Sequence, residues 1–529
     1  MAILQIASVR QESQTWDEGI HLAAGYSYLK TGDLRMNPEH PPLGKYLNAL
    51  PLLLLHLKLP LDHPSWASED AVEFGREFLY HNTTDADTIL FAGRLMTIAL
   101  TLVFAVGLAL WTRREFGSGV ALFALTFFAF DPNLIAHGRY VTSDLIEAVF
   151  FFAATITWYE YLRNGRTSWL ILSGIVLGLA VASKFSGLLL LPVFAILYLI
   201  NRRQGGRRPL LSLLTVSLLA YVTVAAVYAP EARSFLPGIR VLDHSLRSAR
   251  AGVRAGSMIG SLLIRFSPRL GLGHSYFFEG LSLVGLHNAI GHEAYLLGSR
   301  SELGWWYYFP VVFAVKTPTG LLLGLAAAVF VIVRKLKAQW LVLIVPPATY
   351  FAASMASHIN IGVRHLLPIY PFLCILVAAA LWEHRRILTV AAALVVIESM
   401  AAFPYYLAFF NLPSGGPSNG TRYLVDSNLD WGQDLRRLQA YFKKQGGAPL
   451  CLGYFGNAVP DYYGIRAGDM RTNQEVSKNG APNCLLAVSA TPMMGMYVDD
   501  TWSWVRQYRP VAKIGYSIYV FDLRVPGNK

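Results

Sequence analysis

Two adjacent acids, Asp17 and Glu18, are followed a short way on by the string His40-Pro41-Pro42-Leu43-Gly44-Lys45. Charged residues then recur beside long apolar runs: Arg94, Arg139 with Asp144, Lys184, and Arg364 with His365. Acids and bases kept next to a bilayer are costly and commonly carry function. The chemistry open to such a set is removal of a hydroxyl proton by a carboxylate, combined with cations that hold a phosphate as negative charge grows on it. One carboxylate suffices for a single displacement with inversion. Asp17 or Glu18 supplies it, and Lys45, Arg94, Arg139, Lys184 and Arg364 supply the cations.

Each element also has a plainer reading. An acidic pair in a loop caps a helix, Lys184 and Arg94 snorkel to lipid headgroups, and Arg139 and Asp144 form an ion pair in a short loop. The His40-Pro41-Pro42 turn is then a rigid break. Lys316 stands apart, because it lies well inside an apolar run, where a charge points to function. What favours the chemical reading of the rest is their gathering on one face, which depends on the topology.

The chain has 529 residues, of which 54% are hydrophobic and 15% charged, and its mean hydropathy is +0.39. A soluble domain carries about 25% charged residues, so this is an α-helical polytopic membrane protein. Runs of roughly the 17–25 residues needed to cross a bilayer fall near 89–111, 118–135, 145–162, 168–183, 186–201, 210–229, 306–333, 339–357, 366–382 and 387–409. Arg113-Arg114, Arg163 with Arg166, Arg202-Arg203 with Arg207-Arg208, Arg334-Lys335 with Lys337, and Arg385-Arg386 occupy every second loop. The positive-inside rule makes that side cytoplasmic. It also accounts for much of the net charge of +12 without a nucleic-acid partner. The protein is therefore expected in the cytoplasmic (inner) membrane, multi-pass, with its site on the periplasmic or extracytoplasmic side. Residues 1–9 form an apolar stub too short to span, with no signal-peptide cleavage pattern. A further helix upstream would return the N-terminus to the cytoplasm, and that arrangement is expected.

Residues 1–410 are expected to form the membrane domain, with a first outer loop 10–88 and a long outer loop 230–305, and residues 411–529 a small extracytoplasmic α/β domain. In that tail, 430–444 and 500–508 read as helices and 449–456, 483–490 and 511–523 as strands. Residues 413–419 read as a linker, and 43–61 as an interfacial helix on the outer leaflet. Cys451 and Cys484 sit in two of the strands, as a disulfide or as two buried thiols. Cys374 lies in a span and packs.

The acidic pair followed by the HPPLGK string, then Arg139-Tyr140 with Asp144, then Lys184-Phe185-Ser186-Gly187, resembles the protein O-mannosyltransferases and their bacterial relatives, including the lipid A aminoarabinose transferases. These are glycosyltransferases of the GT-C fold that depend on a phospholipid carrier. The similarity in order and spacing covers roughly residues 15–230. Asn360-Ile361-Gly362-Val363-Arg364-His365 and the stretch 426–434 resemble a bacterial branch of these enzymes.

The resemblance implies the GT-C fold with ten or eleven transmembrane helices. It implies an inverting transferase that moves a hexosyl or pentosyl group from a polyprenyl-phosphate donor to a lipid, glycan or protein acceptor outside the membrane. Asp17 matches the acid that acts as base or orients the acceptor, and Glu18 matches its partner. Arg139 and Asp144 match the pair that shapes the site, and Lys184 matches a basic position near the lipid phosphate. His40 and Lys45 match the HPPLGK turn; Arg94, Arg364 and His365 complete the substrate-binding set. No cofactor is required by the resemblance, and a divalent metal stays open. The loop 230–305 is too short for the β-trefoil insertion of the eukaryotic members, which weighs against a protein acceptor. Two other readings are a polymerase or ligase of envelope glycans that uses a diphosphate carrier, and a lipid or sugar transporter. A transporter is expected to show paired repeats and helices broken near the midplane, whereas here the polar groups gather at one face.

Overall fold

The computed structural model describes residues 1–201, 209–230, 275–446 and 449–524. The basic cluster Arg202-Arg203 with Arg207-Arg208, and residues 231–274 of the long outer loop, lie outside the described residues.

Every apolar run contains a helix, but the lengths differ from expectation. Among the described residues, five helices are long and apolar enough to span: Ala86–Phe116, Asp144–Asn164, Leu210–Tyr228, Ala338–Met355 and Val363–Ala380. A sixth span is a broken pair, Tyr308–Lys316 and Thr319–Arg334, bent by 113°. Three more of the expected runs hold shorter apolar helices among the described residues, Ser118–Phe130, Thr167–Ser183 and Phe185–Ile200. Local chemistry explains where these helices end. The Asp131 carboxylate accepts hydrogen bonds from Asn133 N (2.8 Å) and Leu134 N (3.1 Å), ending Ser118–Phe130 and starting the short helix Pro132–His137. Lys184 adopts an extended backbone and separates Thr167–Ser183 from the helical stretch that follows. Arg385–Ala402 carries Arg385, Arg386 and Glu398.

The break at Thr317-Pro318 is held by two buried charges. Lys316 Nζ donates to Leu407 O (2.9 Å) and Asn428 O (2.6 Å). Glu398 accepts from Thr319 N (2.6 Å), Thr319 Oγ1 (2.5 Å) and Leu412 N (2.9 Å). Lys316 therefore secures backbone carbonyls at a bend, and its charge has this structural use.

Two ends of the bundle are distinguishable. At one end the basic clusters of separate loops meet: Glu115 pairs with Arg114 (3.1 Å) and with Arg163, and Glu160 pairs with Arg114. The helix Asp144–Asn164, of 21 residues, is about 30 Å long at 1.5 Å per residue. It runs from Arg163 at this end to Asp144 at the other.

At that other end the first loop is tightly packed. The helix Glu18–Thr31 lies against Leu43–Ala49 at a separation only glycine permits: a Cβ on Gly25 would sit 2.2 Å from Lys45 O. The expected interfacial helix over 43–61 is instead Leu43–Ala49 followed by a 3-10 turn, Leu50–Leu54. Lys45 is buried in it.

The C-terminal part builds a five-stranded sheet in the order β4-β3-β5-β7-β6, from β3 (Leu450–Gly453), β4 (Gly468–Asp469), β5 (Leu485–Ser489), β6 (Ala512–Ile514) and β7 (Ile518–Asp522). A separate hairpin pairs β1 (Ala294–Leu296) with β2 (Ser299–Ser301). The final strand expected over 511–523 is two strands, because Gly515 (φ 58°) and Tyr516 (φ 66°) reverse the chain. Cys451 and Cys484 are bridged, with Cα atoms 6.0 Å apart. The stretch 413–419 forms two 3-10 turns, and Asn411 before it donates to Ala314 O (2.7 Å) and Thr317 O (2.8 Å). The N-terminal segment also pairs with the tail: Ser13 N donates to Gln433 O (2.9 Å) and Trp16 N to Trp431 O (3.0 Å).

With Ser68, Ser168 and Ser477 all exposed, single cysteines there report sidedness. Ser68→Cys and Ser477→Cys are expected to react with an impermeant thiol reagent in intact cells, and Ser168→Cys only after permeabilisation. Labelling of Ser168→Cys from outside would reverse the orientation inferred from the basic loops.

Candidate active site

A cavity of about 640 Å³ opens at the end of the bundle opposite the basic clusters, within the usual range of about 300–1,000 Å³ for small-molecule sites. Six of the residues singled out from sequence line it: Asp17, His40, Asp144, Lys184, Arg364 and His365. Signs alternate along one side. Asp17 Oδ2 accepts from Arg364 Nη1 at 2.7 Å, and Arg364 Nη1 is 3.7 Å from Asp144 Oδ2. Lys184 Nζ donates to Asp144 Oδ1 at 2.7 Å and lies 3.5 Å from Glu147 Oε2. Glu147 is held in turn by Ser186 and by Tyr350, whose hydroxyl donates at 3.1 Å. The Arg364 guanidinium stacks 4.4 Å over the Trp431 ring, so its plane is oriented.

Burial raises the Asp17 carboxyl above its ordinary value, and Arg364 opposes that shift without cancelling it. A carboxylate of raised pKa is the stronger base when ionised. Burial, with Lys45 and His21 adding to it, holds the His40 imidazole neutral, and its Nδ1 has no partner among the described residues. Arg364 and Lys184 are the Lys and Arg side chains of the cavity wall among the described residues.

Glu18, Lys45, Arg94 and Arg139 lie outside this wall, each for a stated reason. Arg94 Nε and Nη2 donate to the two oxygens of Glu18 at 2.7 and 2.5 Å, and Glu18 also accepts from Thr15 N (2.9 Å) and Val141 N (3.2 Å). Arg139 Nη2 donates to Glu12 Oε1 (2.8 Å), and Tyr140 donates to Glu12 Oε2 (2.8 Å). Lys45 Nζ donates to Asn37 O (2.5 Å), His40 O (2.8 Å) and the Tyr28 hydroxyl (3.1 Å). It thereby clamps the turn that carries His40, and burial lowers its pKa well below the ordinary value. None of the four is among the residues that line the cavity.

The cavity also contains Asp426, the first residue of the stretch 426–434, and residues that the sequence did not single out: Trp16, Glu39, His287, His292, Phe455 and Tyr497. Trp16 stacks on Phe455 (4.8 Å between ring centres), and Phe455 on Tyr497 (5.5 Å). One local signal was within reach, since Glu39 directly precedes His40. Asn37, Asp426 and Tyr497 take φ of 56°, 57° and 62°, conformations that cost energy and concentrate at functional sites. Among the described residues, no group of three or more His, Cys, Asp or Glu side chains is arranged to hold a metal ion.

Fold and site together define a multi-pass membrane protein with a charged cavity at one face. Residues 86–231, which carry Arg94, Arg139, Asp144 and Lys184, match the family of dolichyl-phosphate-mannose-protein mannosyltransferases. This match bears out the resemblance drawn above to the GT-C glycosyltransferases. ArnT from Cupriavidus metallidurans, bound to undecaprenyl phosphate, is a similar solved structure, with 14% identity over 99% of this chain and 96% of that one and a TM-score of 0.48. The oligosaccharyltransferase of Archaeoglobus fulgidus in its apo form is similar at 13% identity, over 96% of this chain and 72% of that one, with a TM-score of 0.47. No curated protein matches the chain.

The Glu18–Arg94 pair is buried, with side chains 0% and 4% exposed. Arg94→Ala leaves a buried carboxylate without its cation, a loss of about 3–5 kcal/mol, and is expected to lower the thermal unfolding temperature in detergent markedly. Asp17→Asn is expected to leave that temperature nearly unchanged. Equal unfolding temperatures for Arg94→Ala and the wild type would remove the structural assignment of Glu18.

Proposed function

We propose that the protein is an inverting glycosyltransferase that moves one hexosyl or pentosyl group from a polyprenyl-phosphate donor to an acceptor on the outer face of the cytoplasmic membrane. The observation that carries this reading is the meeting of Asp17 with Arg364 in the cavity that also holds Lys184, beside a segment matching a lipid-phosphate-dependent mannosyltransferase family. In the proposed step Asp17 takes the proton of the acceptor hydroxyl as that oxygen bonds to the anomeric carbon. The bond from that carbon to the phosphate oxygen breaks, and the lipid phosphate leaves with added negative charge. Lys184 and Arg364 receive that charge by exchanging part of their carboxylate contacts for phosphate oxygens. His40 and His365 border the same space, and Asp144 keeps both cations in place meanwhile. Residues 1–410 serve as the catalytic part in this reading, and the C-terminal part supplies the wall at Asp426, Phe455 and Tyr497.

Asp17→Asn keeps size and hydrogen bonding but removes the proton acceptor. Turnover with a panel of radiolabelled polyprenyl-phosphate sugars is expected to fall about 10²–10⁴-fold with donor affinity kept. Because Asp17 acts ionised and its pKa is raised, activity is expected to rise with pH through that raised value and level off above it. An acid limb at or below the ordinary aspartate range would exclude Asp17 as the base.

Lys184→Gln, which can still hydrogen-bond Asp144, is expected to weaken donor binding roughly ten- to a hundredfold. This is the factor corresponding to about 1.5–3 kcal/mol for a charge-assisted bond. Unchanged affinity for polyprenyl phosphate would assign Lys184 to fold maintenance alone.

A further inference from the structure

Three aromatic side chains that the proposed step leaves unused form a platform in the cavity wall. Trp16 and Phe455 lie with 4.8 Å between ring centres and 25° between planes, and Phe455 and Tyr497 with 5.5 Å and 11°. Carbon atoms in contact are about 3.5–4 Å apart, so neither pair is in full overlap and each ring leaves part of its neighbour's face uncovered. Trp16 and Phe455 are half-buried, and Tyr497 is 42% exposed. All three line the cavity.

The platform is held from behind by hydrogen bonds that do not use the ring faces. Trp16 N donates to Trp431 O (3.0 Å), and Trp16 O accepts from Asn457 Nδ2 (2.9 Å). Phe455 N donates to Ser489 Oγ (3.1 Å), Tyr497 N to Glu293 Oε2 (2.7 Å) and the Tyr497 hydroxyl to Asp426 Oδ2 (2.6 Å). Rings fixed in this way lose little freedom when a ligand packs on them. Polar groups stand along one edge of the platform: His292 Nε2 is 2.8 Å from the Tyr497 hydroxyl, His287 Nε2 is 2.8 Å from His292 Nδ1, and Glu39 Oε1 is 2.7 Å from His287 Nδ1. The cations Lys184 and Arg364 are engaged instead with Asp144 and Asp17.

We infer that this platform seats the acceptor and that the acceptor is a saccharide without acidic groups, an inference that rests on the function proposed above and names its second substrate. A sugar ring divides its character as this wall does, with C–H groups over its faces and hydroxyls, each both donor and acceptor, round its edge. The C–H face packs on the aromatic rings as apolar surface, and the edge hydroxyls meet carboxylate and imidazole groups. An alkyl alcohol would desolvate those polar groups without bonding them. A serine or threonine side chain has no ring face to offer, and an acidic sugar would bring its charge beside Asp426 and Glu39. Trp16 directly precedes Asp17 and both line the cavity, which sets one edge of the seated ring toward the base. In the transfer, a hydroxyl oxygen on that edge bonds to the anomeric carbon of the donor as the bond from that carbon to the phosphate oxygen breaks. Its proton passes to Asp17 and then to solvent, and the product is a new glycosidic bond.

Acceptor binding is measurable without turnover. The full chain in lipid nanodiscs, free of donor, is mixed with the methyl glycosides and disaccharides of glucose, galactose, mannose and N-acetylglucosamine and with methyl glucuronide, and read by saturation-transfer NMR. Saturation is expected on the ring C–H protons of at least one neutral sugar and not on the glucuronide. Trp16→Leu, which keeps apolar bulk without an aromatic face, is expected to weaken that binding roughly two- to tenfold, and Trp16→Phe to retain it. Phe455→Leu serves as the second variant if Trp16→Leu does not fold. No saturation of any neutral sugar, or equal binding by the wild type and the leucine variant, overturns the platform. In the transfer assay the same leucine variant is expected to raise the acceptor KM with a smaller change in kcat. Sugar moved only to a serine- and threonine-containing peptide or to a long-chain alcohol overturns the acceptor class and leaves the transferase reading standing. Saccharide binding by a protein that moves sugar from no polyprenyl-phosphate donor counts against the transferase reading while supporting the platform.

Discussion

The cavity depends on a buried ion pair that takes no part in the proposed chemistry. Residues 12–15 are buried without forming a helix, and the polar backbone groups they carry must find partners away from water. Arg94 meets part of that demand: besides the Glu18 carboxylate it donates to Ser13 O (2.8 Å) and lies 3.4 Å from both Val9 O and Glu12 O. Arg139 and Tyr140 hold the Glu12 carboxylate. With Glu12 and Glu18 both anchored, the residue between the segment and its helix has little freedom, and Asp17 is delivered to the cavity wall. A base that must meet a hydroxyl within hydrogen-bonding reach needs such rigidity behind it.

The buried cations described above fall into three groups by what neutralises them and where. Lys45 and Lys316 donate to carbonyl and hydroxyl oxygens and hold turns or bends in place. Arg94 and Arg139 are matched to carboxylates inside the fold. Lys184 and Arg364 also have carboxylate partners, but those partners line the cavity themselves. Only in this last group can an incoming anion compete for the charge without entering the protein core. The alternation Asp17–Arg364–Asp144–Lys184–Glu147 keeps two cations in a water-poor site at tolerable cost, since each charge there has an opposite neighbour.

The tail is part of this arrangement. Asp426, Phe455 and Tyr497 complete the cavity wall, and Trp431 stacks under Arg364. The strands at 449–456 and 483–490 were legible from their apolar runs, because buried strands need continuous hydrophobicity. The hairpin at Gly515 was not, since an apolar stretch does not reveal where two successive residues adopt positive φ. Nor was the stretch 413–419 readable as packed structure. Its composition is that of a linker, and what orders its neighbourhood is the distant carbonyls that Asn411 meets.

What the sequence determined by itself was the membrane class, the position of the helices, and which loops carry the basic clusters. These are local or additive properties: hydropathy over a window, and charge counted loop by loop. It also carried the identity of six cavity residues, through spacing and resemblance. Residue types alone left open which of two neighbouring acids faces the cavity, because successive helical residues point about 100° apart and only packing decides which direction is the cavity. The partners were equally beyond it. Asp17 meets Arg364 across 347 positions, His287 meets Glu39 across 248, and Tyr497 meets His292 across 205. Whether a charged side chain serves as ligand, clamp or base is set by what lies within about 3 Å of it, and at such separations only the tertiary structure supplies that neighbour.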